Sequence, residues 1–210
     1  MFCNTVLEQV ESASYLEVTF NNKLKFSEHA SNIASKTNKV LGMARRNFWN
    51  CPQNVRESVY TTIIRPKLEY SCAAWDPHHK KDTMTLEKVQ RKGAARFCLQ
   101  NYVPLASVTK MLDKLGWETL QQRQMKTRLT MMYQISYNLI DFNTERYLIP
   151  HTESRTRGSH PLKYQIPKAK KYVFKYSYFP RTIKDWNNLS HDIVLANSLN
   201  EFKMKLDSYF

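Results

Sequence analysis

The chain has 210 residues, of which 42% are hydrophobic, and carries 32 Lys and Arg against 18 Asp and Glu, a formal net charge of +14. That size suffices to bury a core in one or two small domains, and only 4 glycines argue against a β-rich or loop-dominated fold. The cationic excess attracts polyanions, nucleic acid first among them, while no apolar run approaches the ~18 residues needed to span a bilayer.

Met1 to Val10 lacks the basic start and apolar core of a secretory signal. The basic residues are not confined to one amphipathic helix, which sets membrane-surface binding aside. Cys3, Cys51, Cys72 and Cys98 are widely spaced with no C-x-x-C pair, so a zinc knuckle is not expected. They read as core or surface thiols of a reduced intracellular protein, nuclear or cytoplasmic and not secreted.

Residues 1–26 read as extended, with Tyr15, Val18, Phe20 and Leu24 among β-formers and Asn21-Asn22-Lys23 as the turn of a short hairpin. A lone hairpin is marginal, so it must lean on the helices after it. Ser27 reads as an N-cap. Ala30, Ile33, Ala34, Thr37, Leu41, Ala44 and Phe48 then recur at three- and four-residue steps, one apolar helical stripe.

Pro52 restarts a helix at its first position. Val55, Val59, Ile63 and Leu68 carry an apolar face towards Trp75; Pro66 should kink or split the segment, and Asp76-Pro77 stops it. Asp82 or Thr83 opens a third helix, with Leu86, Val89, Gly93 and Phe97 on one side and Lys88, Arg91, Lys92 and Arg96 sharing another. Leu105, Val108, Met111, Leu112 and Leu115 predict a short helix ending at Gly116. The longest periodic stretch runs from Glu118 to about Leu139. Leu120, Gln124, Thr127, Met131 and Ile135 stand at helical steps there, and Arg123, Lys126 and Arg128 make it basic.

Composition shifts near Pro150. Residues 151–184 hold Arg155, Arg157, Lys163, Lys168, Lys170, Lys171, Lys175, Arg181 and Lys184 against Glu153 alone, threaded with Tyr164, Tyr172, Phe174, Tyr176, Tyr178 and Phe179. Gly158, Pro161, Pro167 and Pro180 break the stretch, which predicts loop plus a short exposed strand over Lys171 to Ser177. Short helices come next, near 182–188 and 198–208, the last docking through Leu199, Phe202 and Leu206. The expected fold is mainly α: a small N-terminal β-hairpin, a thumb-like bundle of about five to seven helices, a basic strand–loop and C-terminal helices. The expected divisions are 1–26, 27–150 and 151–210.

Several segments, taken in order, resemble one family. They are Tyr15-Leu16-Glu17-Val18, then Tyr70-Ser71-Cys72-Ala73-Ala74-Trp75-Asp76-Pro77, the Lys88–Arg96 run, Leu115-Gly116-Trp117 entering Arg123–Met132, and Tyr176-Ser177-Tyr178-Phe179-Pro180-Arg181-Thr182-Ile183-Lys184-Asp185-Trp186-Asn187. The set resembles the thumb and post-thumb region of a non-LTR retrotransposon reverse transcriptase of the Jockey type, from about Leu7 to about Leu206. Each motif alone is weak; the order is the more specific signal. The resemblance implies a region that grips a template–primer duplex while a palm elsewhere does the chemistry. The palm's chemistry uses acidic side chains holding two divalent metals, and this chain has no Asp-Asp pair. Fingers, palm and an apurinic-type endonuclease domain are not expected within it. Glu17 stands where the family has Gly.

The expected nucleic-acid contacts are Lys88, Arg91, Lys92, Arg96, Arg123, Lys126, Arg128, Arg155, Arg157, Lys170, Lys171, Lys175 and Arg181. Such side chains neutralise phosphates without choosing sequence, and neighbouring aromatics can stack bases. The alternative reading is a solvated face for the helix cations and a loop anchored by its aromatics for the 155–184 stretch. Asp76, His78 and His79 read as a turn rather than a metal site, the cysteines as core thiols, and Trp75, Trp117 and Trp186 as packing anchors. No catalytic residue, metal or cofactor is expected. The partners expected are RNA or DNA, with the missing polymerase core or another protein also open. The alternative is a helical protein-interaction module or an inert relic of a mobile element.

Overall fold

The structure is a computed structural model and describes residues 9–100, 108–151 and 160–210. The fold is mainly helical with one small antiparallel hairpin near its start. Strands β1 (Ser12–Tyr15) and β2 (Val18–Asn21) pair with Tyr15 opposite Val18. The turn is therefore Leu16-Glu17, not the expected Asn21-Asn22-Lys23. Leu16 and Glu17 have φ of 45° and 64°, the sign that a two-residue loop needs to match strand twist. Val18 is buried, and the Thr19 amide donates to His29 Nδ1 at 3.1 Å, which fastens the hairpin to the first helix.

Helix α1 (Ser27–Phe48) buries Ala30, Ala34, Thr37, Leu41 and Ala44, the expected stripe. Ser27 does not cap it. Phe26 holds the cap position, and the Ser27 hydroxyl instead donates to Asp82 Oδ2 at 2.6 Å. Helix α2 (Gln53–Val59) starts one residue after Pro52, passes into a π-helical segment (Tyr60–Ile64) and continues as α3 (Arg65–Glu69). Pro66 lies in the first turn of α3. The proline has no amide to offer, and the wider turn before it lets the Arg65 amide reach Tyr60 O instead. After α4 (Cys72–Trp75) and Asp76-Pro77, α5 (Lys80–Lys92) begins ahead of the expected Asp82 or Thr83. It runs into a second π-helical segment (Gly93–Cys98), whose Leu99 amide donates to Ala94 O at 3.0 Å.

Helix α6 (Val108–Leu115) ends at Gly116 with φ 61°. The Gly116 and Trp117 amides return to Asp113 O and Leu112 O at 3.0 and 2.9 Å, the paired closing bonds of a Schellman end. Leu105, expected in this helix, lies outside the described residues. Helix α7 (Leu120–Ser136) opens on a capping box between Thr119 and Gln122. It buries Leu120, Gln124, Leu129, Met132, Tyr133 and Ile135, whereas Thr127 of the expected stripe is exposed.

The strand expected over Lys171 to Ser177 is instead a helical turn, α8 (Tyr172–Lys175). Alternating aromatics make a strand only beside a sheet edge, and the described residues outside the hairpin offer a single isolated bridge, Pro150 with Tyr164. Helices α9 (Tyr178–Asn187), α10 (His191–Val194) and α11 (Leu199–Tyr209) complete the chain. Ser198 caps α11 by accepting from the Glu201 amide at 3.2 Å, and Phe202 and Leu206 form its buried face.

Buried side chains gather in three clusters. Val18, Ala34, Leu68, Trp75 and Leu86 join hairpin, α1, α3, α4 and α5. Leu41, Tyr60, Ile64 and Phe97 join α1 to both π-helical segments. The third cluster spans the compositional change near Pro150: Leu129, Met132 and Ile135 of α7 pack with Ile183, Trp186 and Phe202. The C-terminal segment and the second half of α7 thus share one core.

Candidate nucleic-acid interface

A long depression crosses the surface between α5, α7 and α9. One part, about 940 Å³, is lined by Lys175 and Lys184 at its rim and by Gln121, Gln122 and Met125 along α7. The adjoining part, about 760 Å³, is lined by Lys80 and Arg91 of α5 with Leu112 and Trp117. His78, Thr119, Gln121, Gln122 and Arg181 line both, so the two parts are one continuous groove.

Side-chain spacing explains the α5 wall. Lys80, Met84, Glu87 and Arg91 recur every three or four residues and face the groove. Lys81, Lys88 and Lys92 form the neighbouring stripe, exposed to solvent, and Arg96 is exposed beyond them. Lys168, Lys170 and Lys171 are exposed just before α8, close in sequence to the lining residues Ala169 and Lys175.

The other expected contacts have a different setting. Arg128 is buried, its side chain 3% exposed, with its guanidinium 2.7 Å from Asp76 and 3.1 Å from Asp185. Arg181 reaches the same Asp76 carboxylate at 3.1 Å and donates to Asp76 O at 3.0 Å. Burial pushes the Asp76 carboxyl up from its ordinary range, and the Arg181 and Arg128 charges pull it back. Lys126 is held between Glu118 and Asp207. Arg123 grips Glu69 with two nitrogens. Arg123, Lys126 and Arg128 fasten α7 to α3, α11, α9 and the end of α4, and Arg181 fastens α9 to the end of α4. Arg128 and Lys126 are removed from the exposed surface by burial, and Arg123 is largely neutralised by its partner. Arg181 lines the groove, but its charge is matched by Asp76.

Sequence reasoning put all the cations of α7 on one basic face because it could not see which acids lie opposite them. Asp76, Asp185, Asp207 and Glu69 are all remote in sequence from their partners. Arg155 and Arg157 lie outside the described residues. Lys80 and Lys184 were missed, although the step from Lys80 to Arg91 along α5 carries the signal for the first.

The ion pairs of the described residues engage more acids than cations, since Lys126, Arg128 and Lys205 each hold two carboxylates. The positive excess of the chain therefore falls disproportionately on cations outside these pairs. Among the described residues, no cluster of three or more His, Cys, Asp or Glu side chains is placed to hold a metal ion. No described helix is long and apolar enough to cross a membrane. No family model, curated protein or solved structure matches the chain.

Proposed function

We propose that this chain is a sequence-independent nucleic-acid-gripping region, the thumb-like end of a non-LTR retrotransposon reverse transcriptase whose catalytic palm lies outside these residues. One observation carries the binding reading: a continuous groove lined by Lys80 and Arg91 in one part and by Lys175 and Lys184 in the adjoining part. Exposed Lys88, Lys92, Lys168, Lys170 and Lys171 flank it. Flexible cations strung along a groove suit a sugar–phosphate backbone, which they grip by releasing counterions rather than by reading bases. The order of the motifs from Tyr15 to Asn187 supports the assignment to that family.

The test is a fluorescence anisotropy titration of a 20-nucleotide RNA, repeated between about 50 and 200 mM salt. A grip on roughly four phosphates predicts a log–log slope of about −3.6 for a duplex, and about −2.8 for a single strand. Replacing Lys80, Arg91, Lys175 and Lys184 together with Gln should remove most of that slope, by about one unit for each phosphate no longer gripped. A flat salt response would rule out the grip. The second reading, a protein-interaction module, has its own observation. An apolar recess of about 550 Å³ lies between α1 and the first π-helical segment, where Ile63 and Tyr70 are 44% and 51% exposed.

A further inference from the structure

Beside the groove lies a smaller cavity of about 380 Å³, within the span of small-molecule sites, ~300–1,000 Å³. Its walls are aromatic and apolar: Phe20 from β2, Ala73 and Ala74 from α4, and Tyr172, Val173 and Tyr176 from α8 and its end. His78 and Arg181 line both this cavity and the groove, so the two open into each other.

Three features define what the cavity would hold. The first is a ladder of rings. Tyr176 stacks flat on the His78 imidazole, with centroids 4.2 Å apart and planes 10° apart. Tyr172 meets the same imidazole edge-on at 5.4 Å and tilts against Tyr176 at 4.6 Å. The second is a lack of cover. Helix α8 buries none of its residues, and Tyr172 is 58% exposed and Val173 39%. An aromatic turn held open to water gains by accepting a flat partner. The third is polarity. His78 Nε2 is buried without a hydrogen-bond partner among the described residues, so a ligand with a polar edge would satisfy it. Asp76 also lines the cavity. Its carboxylate is matched by Arg128 and Arg181 on the same lining, which leaves Lys25 to favour phosphate nearby.

A neutral, planar, polar-edged ring joined to phosphates fits all three. We propose that the cavity receives one unstacked nucleobase from a strand lying in the groove, stacked on Tyr172 and edged by His78. This proposal rests on the groove reading and adds a preference for single strands with bases over duplex or bare backbone.

The experiment compares two DNA oligonucleotides of 12 nucleotides by anisotropy in the same buffer. One carries thymine throughout; the other has the same phosphates with abasic sugars. The proposal expects the thymine strand to bind about 5- to 100-fold tighter. Tyr172→Ala should erase that difference while leaving the abasic affinity unchanged, and Tyr172→Phe should keep it. Tyr172 is largely exposed, so neither variant threatens the fold, and an unchanged Tm verifies this. Equal affinity of the two strands for the parent chain would overturn the base cavity and leave the groove reading intact. A difference that survives Tyr172→Ala would overturn it as well. Absence of binding to both strands at low salt would overturn the groove reading and this one with it.

Discussion

Leu16 and Glu17 hold left-handed backbone that residues with a Cβ adopt only at a cost of about 1 kcal/mol or more each. The turn is kept because Val18 is pinned in the core and Thr19 is bonded to His29, so the hairpin cannot swing to relax it. Glycine at the second position would relieve the steric cost of φ 64°. Against this stands the loss of the Glu17–Lys36 pair at 3.2 Å, whose side chains are 78% and 70% exposed and which is therefore worth little. The added backbone freedom of glycine in the unfolded chain offsets part of the gain. Glu17→Gly should still raise stability by about 0.5–1 kcal/mol. The readout is a higher urea midpoint at unchanged m-value. A midpoint that stays or falls would show that the turn is not strained. This is also where the resemblance places a glycine.

At the scale of elements, the two π-helical segments meet through Tyr60 and Gly93. A Cβ built on Gly93 would lie 2.2 Å from Tyr60 Cε2, so the ring of one segment rests on the bare backbone of the other. The same ring stacks on Trp117 at 4.6 Å, and Arg65 covers that indole at 4.5 Å. Helix propensity alone makes Gly→Ala stabilising by about 1 kcal/mol; the collision makes it destabilising. Gly93→Ala should lower stability by about 1–3 kcal/mol, and the loss should shrink in a Tyr60→Ala background. Gly42→Ala on α1 is the control, because its Cβ would meet only Arg46 Nη1 at 3.9 Å, and it should stabilise by a few tenths of a kcal/mol or more. The helix faces were legible in the sequence where one stripe is buried and the opposite side is left to solvent. Leu86, Val89, Gly93 and Phe97 are buried as their spacing predicts. Helix α7 was less legible because it is packed on several sides, so periodicity cannot rank its faces. The π turns left no separate sequence signal: one added residue per turn changes register without changing composition. The candidate site was legible as charge and not as pairing. The α5 lysines are exposed as expected, whereas Arg128 needed Asp76 and Asp185 to be seen in space before its role as a clamp was apparent.

For the whole molecule, α1 is a wall of two of the clusters and α7 of two, with the cluster around Trp75 common to both, so loss of one joint should propagate. Acid is the probe that reaches several joints at once. His29 is 1% exposed, lies edge-on to Trp75 at 4.6 Å, and accepts the Thr19 amide at Nδ1, which requires that nitrogen to be unprotonated. His160 is fully buried against Trp186, with its Nε2 3.1 Å from Trp186 O. His78 stacks beneath Tyr176 beside Arg181. Burial lowers all three imidazoles below the usual histidine value of 6.5, with neighbouring positive charge acting in the same direction. The unfolded chain therefore takes up protons near pH 6.5 that the folded chain refuses. Their stabilising contribution is present above pH 6.5 and is lost as pH falls towards the lowered folded values. Each refused proton contributes a slope of up to about 1.4 kcal/mol per pH unit. Buried Asp76 and Glu87, whose carboxyls are raised by burial, oppose this trend as pH falls through their raised range. Urea unfolding at pH 7.5, 6.5 and 5.5 should show stability falling between the last two values. His29→Gln keeps an acceptor for the Thr19 amide but cannot be protonated, so it should flatten that fall, even at some loss of stability at pH 7.5. A parent chain equally stable at pH 7.5 and 5.5, or a variant with the same slope as the parent, would show that the joint between hairpin, α1 and Trp75 does not depend on a neutral imidazole.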